Sequence, residues 1–470
     1  DKSGDVTTWR THLLKTGTNG KQLEGVYAPP RRQKLCLANL YPINFGNNAD
    51  ITSKKNTLLN RLQIVAEREA YFLWKHYHKN GKDDTESHNR ACCAIRNSFY
   101  DIGDIVKGTD LWDDPSKIYI DETLKNIFED EEKQRTKKTI YPNPILYLRK
   151  QWWEYSETGK PTTKDKIWDS MQCGVKNAIT NLKGETNQVG DDRLPQCIQD
   201  IKNKRNVYSV ATPQFMRWLE EWTQQFCEKY DEHMKELESK CGSSGGNNHD
   251  CNSGKNECKD ACTKYNDWIT SKKKEWVGMS QYYGTIFLRK SSYESPDGTD
   301  YDAITQPTAI KYLNQKCNKE IDGTDNCCHC QKLGIDRTSL TGRNDAPLEH
   351  MDKVVNKTDD KYKKYMPQCT KCYIQHIKDQ ISDIEKKLNI EKTKEEKKGG
   401  KKHDFDCGKN GSDDKLCDKL TDGGKDEEAE TLKVPIDPDD NDSNKNKETG
   451  GMNCGGIPSK ESDYIWKHKK

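Results

Sequence analysis

The stretch Pro213-Gln214-Phe215-Met216-Arg217-Trp218-Leu219-Glu220-Glu221-Trp222-Thr223-Gln224-Gln225-Phe226-Cys227-Glu228-Lys229-Tyr230 decides how this chain is read. Phe215, Trp218, Leu219, Trp222, Phe226 and Tyr230 recur at three- and four-residue steps, the repeat of one buried helix face. On that wheel Arg217, Glu220, Glu221, Gln224 and Glu228 are expected to face solvent. Thr212 is placed to cap the first turn, and Pro213 to occupy the first helical position, where its missing N–H had no partner anyway. In a chain only 31% hydrophobic, two Trp and two Phe on one face mark a central core element, not a cofactor box.

Working outward, the same period recurs on both sides. Residues 1–48 carry Gly17, Gly20, Gly25, Pro29, Pro30 and Pro42 and are expected to be irregular. Asp50 can cap a helix running to about His78, with Leu58, Leu62, Val65, Ala66, Phe72 and Leu73 as its buried stripe. Ala91–Lys107 follows with Ile95, Phe99, Ile102 and Val106 on one face and Gly108 placed to end it. Shorter helices are expected over 118–128 and 145–153, and a longer one from Asp165 to about Leu182. Residues 184–205, with Cys197, read as a loop. Cys241–Gly254 reads as a hinge without the ending of a phosphate loop. A long helix from there to about Leu288, a further one within 300–318, and a second long one over 361–388 give a cross-linked hairpin. From Glu391 the composition turns to Lys, Gly, Asp and Asn, a polar linker unable to form a core.

At 470 residues the chain exceeds one ordinary core, so several subdomains are expected. Its 33% charged residues cancel to a net +2, which argues against a nucleic-acid partner, since such binders carry a clear basic excess. Nineteen cysteines point to an oxidising compartment and a disulfide framework. The candidates are Cys36, Cys92, Cys93, Cys173, Cys197, Cys227, Cys241, Cys258, Cys262, Cys317, Cys327, Cys328, Cys330, Cys369 and Cys372. Adjacent Cys92 and Cys93 are expected to reach different partners. No apolar run is long enough to span a bilayer and the N-terminus has no signal-peptide core, so a segment of a larger protein is expected.

Cys327-Cys328-His329-Cys330 with Cys369 and Cys372 has the residue types of a zinc site, but cysteines spread over the whole chain suit disulfides better. No nucleophile elbow, zincin or dinucleotide fingerprint occurs, so no enzyme activity, metal or cofactor is expected. Basic clusters at Lys202, Lys204 and Arg205, and at Lys272, Lys273 and Lys274, are the candidate ligand-binding residues. Asn356, Asn410 and Asn441 stand in glycosylation sequons, which in so Asn-rich a chain only mark exposed positions.

Four stretches taken in order resemble the Duffy-binding-like domains of the Plasmodium falciparum erythrocyte membrane protein one family. They are Pro29-Pro30-Arg31-Arg32 with Leu35-Cys36, Ser98-Phe99 with Asp101-Ile102-Gly103-Asp104-Ile105 and Gly108-Thr109-Asp110-Leu111-Trp112, the Pro213–Cys227 stretch, and Cys258, Cys262, Tyr265 and Trp268. The resemblance covers residues 10–390. The wording of 23–27, 64–69 and 91–96 is most similar to the epsilon or zeta subclasses. Tyr27 stands where many members have a cysteine, which implies a different pairing in the first subdomain. The resemblance implies a mainly α, disulfide-rich fold: a loop-rich first subdomain (1–115), a helical bundle (116–240), a helical hairpin (241–390) and an interdomain linker (391–470). It further implies a non-enzymatic adhesion module on the outer face of the infected erythrocyte, beside neighbouring domains of a membrane-anchored protein. The leading implied partner is the Fc region of host immunoglobulin M. A sulfated glycosaminoglycan of the chondroitin type, an endothelial receptor, or a purely structural spacer are the alternatives. Partner binding is expected to use helix surfaces of the second and third subdomains and no residue beyond Glu391.

Overall fold

The computed structural model describes residues 8–11, 23–40, 43, 45, 49–78, 84–113, 115–135, 143–156, 160–184, 190, 193–203, 212–242, 257–289, 304–317, 327–330 and 351–397. At 115–117, 200–203 and 388–397 it describes helical backbone alone. The fold is mainly α. Among the described residues there is no strand, and one isolated antiparallel bridge pairs Arg10 with Ala28.

A short α1 (Pro30–Gln33) opens the helical part. α2 (Ile51–Tyr77) starts where the Asp50 carboxylate accepts from the Ser53 N–H, as its sequence suggests. α3 (Thr85–Lys107) begins six residues before the expected Ala91, because Asp84 caps it through the Ser87 N–H. Gly108 ends α3 at φ 82°, a left-handed conformation that glycine adopts without a Cβ clash. α4 (Pro115–Gln134) and α5 (Pro144–Glu154) follow, then α6 (Thr163–Lys183), whose Thr162 and Asp165 form a reciprocal capping box. Residues expected to be loop contain a helix, α7 (Gln196–Asn203). Eight residues were too few to show a period against their polar surroundings.

The central helix α8 runs Gln214–Cys241. Its N-cap is Pro213 rather than Thr212, and no side chain caps it; the Thr212 carbonyl instead accepts from Arg217 Nη1 at 2.6 Å. Then come α9 (Glu257–Leu288), α10 (Ala309–Lys316), α11 (Met351–Val355), α12 (Asp360–Lys363) and α13 (Met366–Lys397). α13 passes Glu391 as helix. Of the hinge expected over Cys241–Gly254, Cys241 is the last residue of α8 and Gly242 its C-cap, while 243–254, the 331–350 stretch and residues 398–470 lie outside the described residues. Two compact units are present: the larger contains Asp1–Gln375, and the smaller, His376–Gly451, is described through the second part of α13.

Two apolar cores hold the larger unit. One joins α2 to α7 through residues such as Leu62, Trp74, Phe99, Phe128, Trp153, Trp168 and Ile198. Here α2 and α6 approach so closely at Gly174 that an added Cβ would sit 2.1 Å from the Glu67 carbonyl oxygen. The other surrounds α8, with Trp9, Val26, Trp112, Trp218, Trp222, Tyr230, Tyr265, Trp276, Tyr283 and Leu313. α2 and α3, which precede residue 116, thus share a core with α4–α7, and α8 shares one with α9 across residue 241.

Among the described residues, six disulfides with both partners in view brace these cores. Cys92–Cys197 ties α3 to α7, and Cys93–Cys327 ties α3 to the 327–330 segment, so the adjacent cysteines do reach different partners. Cys227–Cys330 and Cys317–Cys328 fix that segment to α8 and to the end of α10. Cys241–Cys258 and Cys262–Cys369 join α8 to α9 and α9 to α13. Cys36 and Cys372 are also oxidised. Cys173 departs from expectation: it is an exposed thiol on α6 outside the bridges.

Candidate adhesion surface

The polar face of α8 is not a solvent face. Each of the five residues placed there by the helical wheel meets a partner from another element. Arg217 lies between Asp101 (3.0 Å) and Asp104 (2.5 Å) of α3. Glu221 receives both Nε (3.3 Å) and Nη2 (3.0 Å) of Arg31, which also reaches Asp101 at 2.8 Å. Glu228 pairs with Arg90 at 3.3 Å, Glu220 accepts from the Tyr312 hydroxyl, and Gln224 Oε1 accepts from the His329 N–H at 2.5 Å. Beside them Arg32 grips Asp110 in a fork of 3.1 and 2.5 Å, both side chains fully buried. Gln214 completes the node: its amide donates to Asp101 (3.0 Å) and Asp110 (2.7 Å) and its carbonyl accepts from the Leu111 N–H (2.7 Å).

Charge in this node follows from pairing. Burial opposes ionisation of Asp101, but Arg31 and Arg217 outweigh it and hold the carboxyl below its usual range. Asp104 is likewise opposed by burial, yet Lys107 and Arg217 bring it down to about 2. Burial works against charge on Arg217 too, and Asp104 and Asp101 raise its pKa nonetheless. At Glu228 the balance reverses: burial raises its pKa despite Arg90. The node is therefore a set of paired buried ions welding α1, α3 and α8, in which Arg32 Nη1 and Arg217 Nε are the guanidinium nitrogens without a hydrogen-bond acceptor among the described residues.

Of the expected basic residues, Lys202, Lys204 and Arg205 have no described side chain. Lys272 is not free for a ligand. It is mostly buried and donates to Glu275 at 2.7 Å, and Glu275 also accepts from the indole Nε1 of Trp222 at 2.6 Å. Lys273 and Lys274 are exposed with no ion pair, and Val277 one turn on is 42% exposed. They stand on the outer side of α9, while Tyr265, Ile269, Trp276 and Tyr283 anchor its inner side. Behind that face Trp222 is stacked between Phe226 (5.0 Å between centroids) and Trp276 (5.7 Å). The zinc-like residues go elsewhere: Cys327, Cys328, Cys330, Cys369 and Cys372 are taken up in disulfides, as are Cys241, Cys262 and Cys369, whose sulfurs cluster.

Disulfides thus brace a helical scaffold whose outer α9 face carries the exposed Lys273, Lys274 and Val277. The chain belongs to the Duffy binding domain family, whose model matches residues 25–332. It is 28% identical over 288 residues to the Duffy receptor of Plasmodium vivax (strain Salvador I), a match covering 60% of this chain and 23% of the receptor. It is 27% identical over 282 residues to the Duffy receptor alpha form of Plasmodium knowlesi, covering 59% and 22%. This chain thus spans less than a quarter of the length of these relatives. Among solved structures, a DBLb domain of PfEMP1 bound to human ICAM-1 is similar at 26% identity, covering 68% of this chain and 72% of that one, with a TM-score of 0.43.

Proposed function

We infer that the chain is an extracellular adhesion module that holds a host protein on the outer face of α9. Family membership carries the adhesion reading: the relatives it matches are named as Duffy receptors. The single observation that carries the site is the pair of exposed, unpaired cations Lys273 and Lys274 next to exposed Val277, on a helix fixed by disulfides at Cys258 and Cys262. A pre-ordered helix lowers the ordering cost of an interface.

The ligand in this reading is the Fc region of immunoglobulin M, with the module displayed on the infected red cell as one of several domains of an anchored protein. The proposed subdomains, 1–115, 116–240 and 241–390 followed by a linker, divide the sequence and not the packing, since one core spans α2–α7 and the other joins α8 to α9. Support for the immunoglobulin comes from the epsilon- or zeta-like wording of 23–27, 64–69 and 91–96. Leu23, Val26, Val65, Ala91, Cys92 and Ile95 are buried, while Glu24 and Ile64 of the same stretches are exposed, so most of that wording speaks to subclass and not to the contact itself. Several equivalent Fc chains would let a modest single-site affinity be raised by multivalent display.

A sulfated glycosaminoglycan is the second reading, because two unpaired lysines also suit a polyanion. Binding of the purified chain to immunoglobulin M Fc and to chondroitin sulfate, each at low and physiological ionic strength, separates them. A protein interface weakens modestly with salt, whereas polysulfate binding collapses. Fc binding that survives physiological salt is the expected result. Glycan binding alone would replace the first reading with the second, and binding of neither would favour a spacer.

A further inference from the structure

α13 carries an apolar stripe on the wrong side of the helix. Cys369 and Cys372 are buried at its anchored end, but Ile374 (49%), Ile377 (42%), Ile381 (50%) and Ile384 (57%) are exposed, with Tyr373 (58%) beside them. Their spacing of three, four and three residues is that of the a and d positions of a heptad, and Leu388 continues it in the sequence. Single exposed apolar residues are ordinary, but four isoleucines in register on one face mark an interaction surface.

We propose that this stripe is the seam of an antiparallel dimer of this chain, in which α13 packs on α13 of a second copy. The flanking charges choose this occupant and its direction. Lys378 and Glu385 sit at equivalent e positions beside the seam, both exposed and neither in an ion pair among the described residues. In the antiparallel register that sets Ile374 on Ile384 and Ile377 on Ile381 of the second copy, helical side chains lean toward their own N-termini. That lean brings Lys378 beside Glu385 of the second copy, and two-fold symmetry makes the pair twice. Sliding the register one heptad further sets Glu385 against Glu385. A parallel pair offers no opposite charges, since Gln380 falls beside Glu385 and Tyr373 beside Lys378. Antiparallel pairing also keeps the disulfide-anchored ends of the two α13 helices apart. The surface is its own complement in one register only.

Two heptads make a small seam, so the dimer is weak, with a dissociation constant of about 10 μM, inside the range sampled below. Sedimentation velocity of the full oxidised chain from about 1 to 100 μM tests this, with Cys173→Ser as background to prevent disulfide-linked dimers. A concentration-dependent monomer–dimer equilibrium is expected. I377E/I381E should stay monomeric throughout with unchanged far-UV circular dichroism, since both positions face solvent in the single chain. K378E and E385K should each weaken the dimer about fivefold at low salt, and K378E/E385K together should restore it. A monomer at every concentration, a dimer indifferent to I377E/I381E, a trimer, or a double reversal that fails to restore pairing would each overturn the proposal.

Discussion

Arg217→Met removes the guanidinium that sits 3.0 Å from Asp101 and 2.5 Å from Asp104, three side chains at most 7% exposed. Removing one partner of a buried ion pair costs about 3–5 kcal/mol, because the other charge stays buried without compensation. Here Asp101 keeps Arg31 at 2.8 Å and Asp104 keeps Lys107 at 3.1 Å, so the lower end, about 3 kcal/mol, is expected. A second readout follows from pH. Asp104 falls from 3.8 to about 2, so its contribution is complete above about pH 4 and is lost as the pH drops toward 2. That difference corresponds to about 2–3 kcal/mol. The variant should therefore begin to unfold at a higher pH on acid titration. Urea unfolding followed by far-UV circular dichroism, on the wild type, R217M, D104N and the double variant, measures all of this. A loss below about 1 kcal/mol in R217M, or strict additivity in the double variant, would refute the buried-node account.

Trp222→Ala should cost about 3–5 kcal/mol in the same assay, whereas Trp222→Phe keeps most of the ring stack and loses about 1–3 kcal/mol by leaving Glu275 short of a donor. Dithiothreitol should lower the melting temperature and abolish ligand binding, while a zinc chelator leaves both unchanged; a chelator effect under oxidising conditions would contradict the disulfide frame. Cys173 should react with a thiol reagent in the native state, located by peptide mapping, and Cys173→Ser should change stability by no more than about 0.5 kcal/mol.

Periodicity made the helices legible, because burial of one face imposes a repeat that composition cannot hide. It also produced the main misreading. A helical wheel sorts residues by polarity and assigns the polar side to water, so Arg217 and Glu221 look solvated. Their partners Asp101, Asp104 and Arg31 lie more than 100 residues away in sequence and carry no local sign of the meeting. Three of the four stretches that carry the family resemblance, Pro29–Arg32, Asp101–Asp110 and Gln214–Glu221, converge on that buried node, while the fourth, on α9, lies in the core around α8. The proposed adhesion surface is harder to see, since an exposed lysine such as Lys273 differs from Lys272 only by what Glu275 does. The stripe on α13 had its spacing in plain view, but which side of a helix stays uncovered is a tertiary property.

The claim that α9 presents the adhesion surface is tested most directly by the affinity of K273E/K274E/V277E for immunoglobulin M Fc, measured by surface plasmon resonance at physiological salt. These side chains are exposed, so the melting temperature should match the wild type. The account predicts a loss of affinity of about tenfold or more, because reversed charge at the centre of an interface is strongly unfavourable. Unchanged binding by the folded variant would contradict it and place the host contact on another surface of the module.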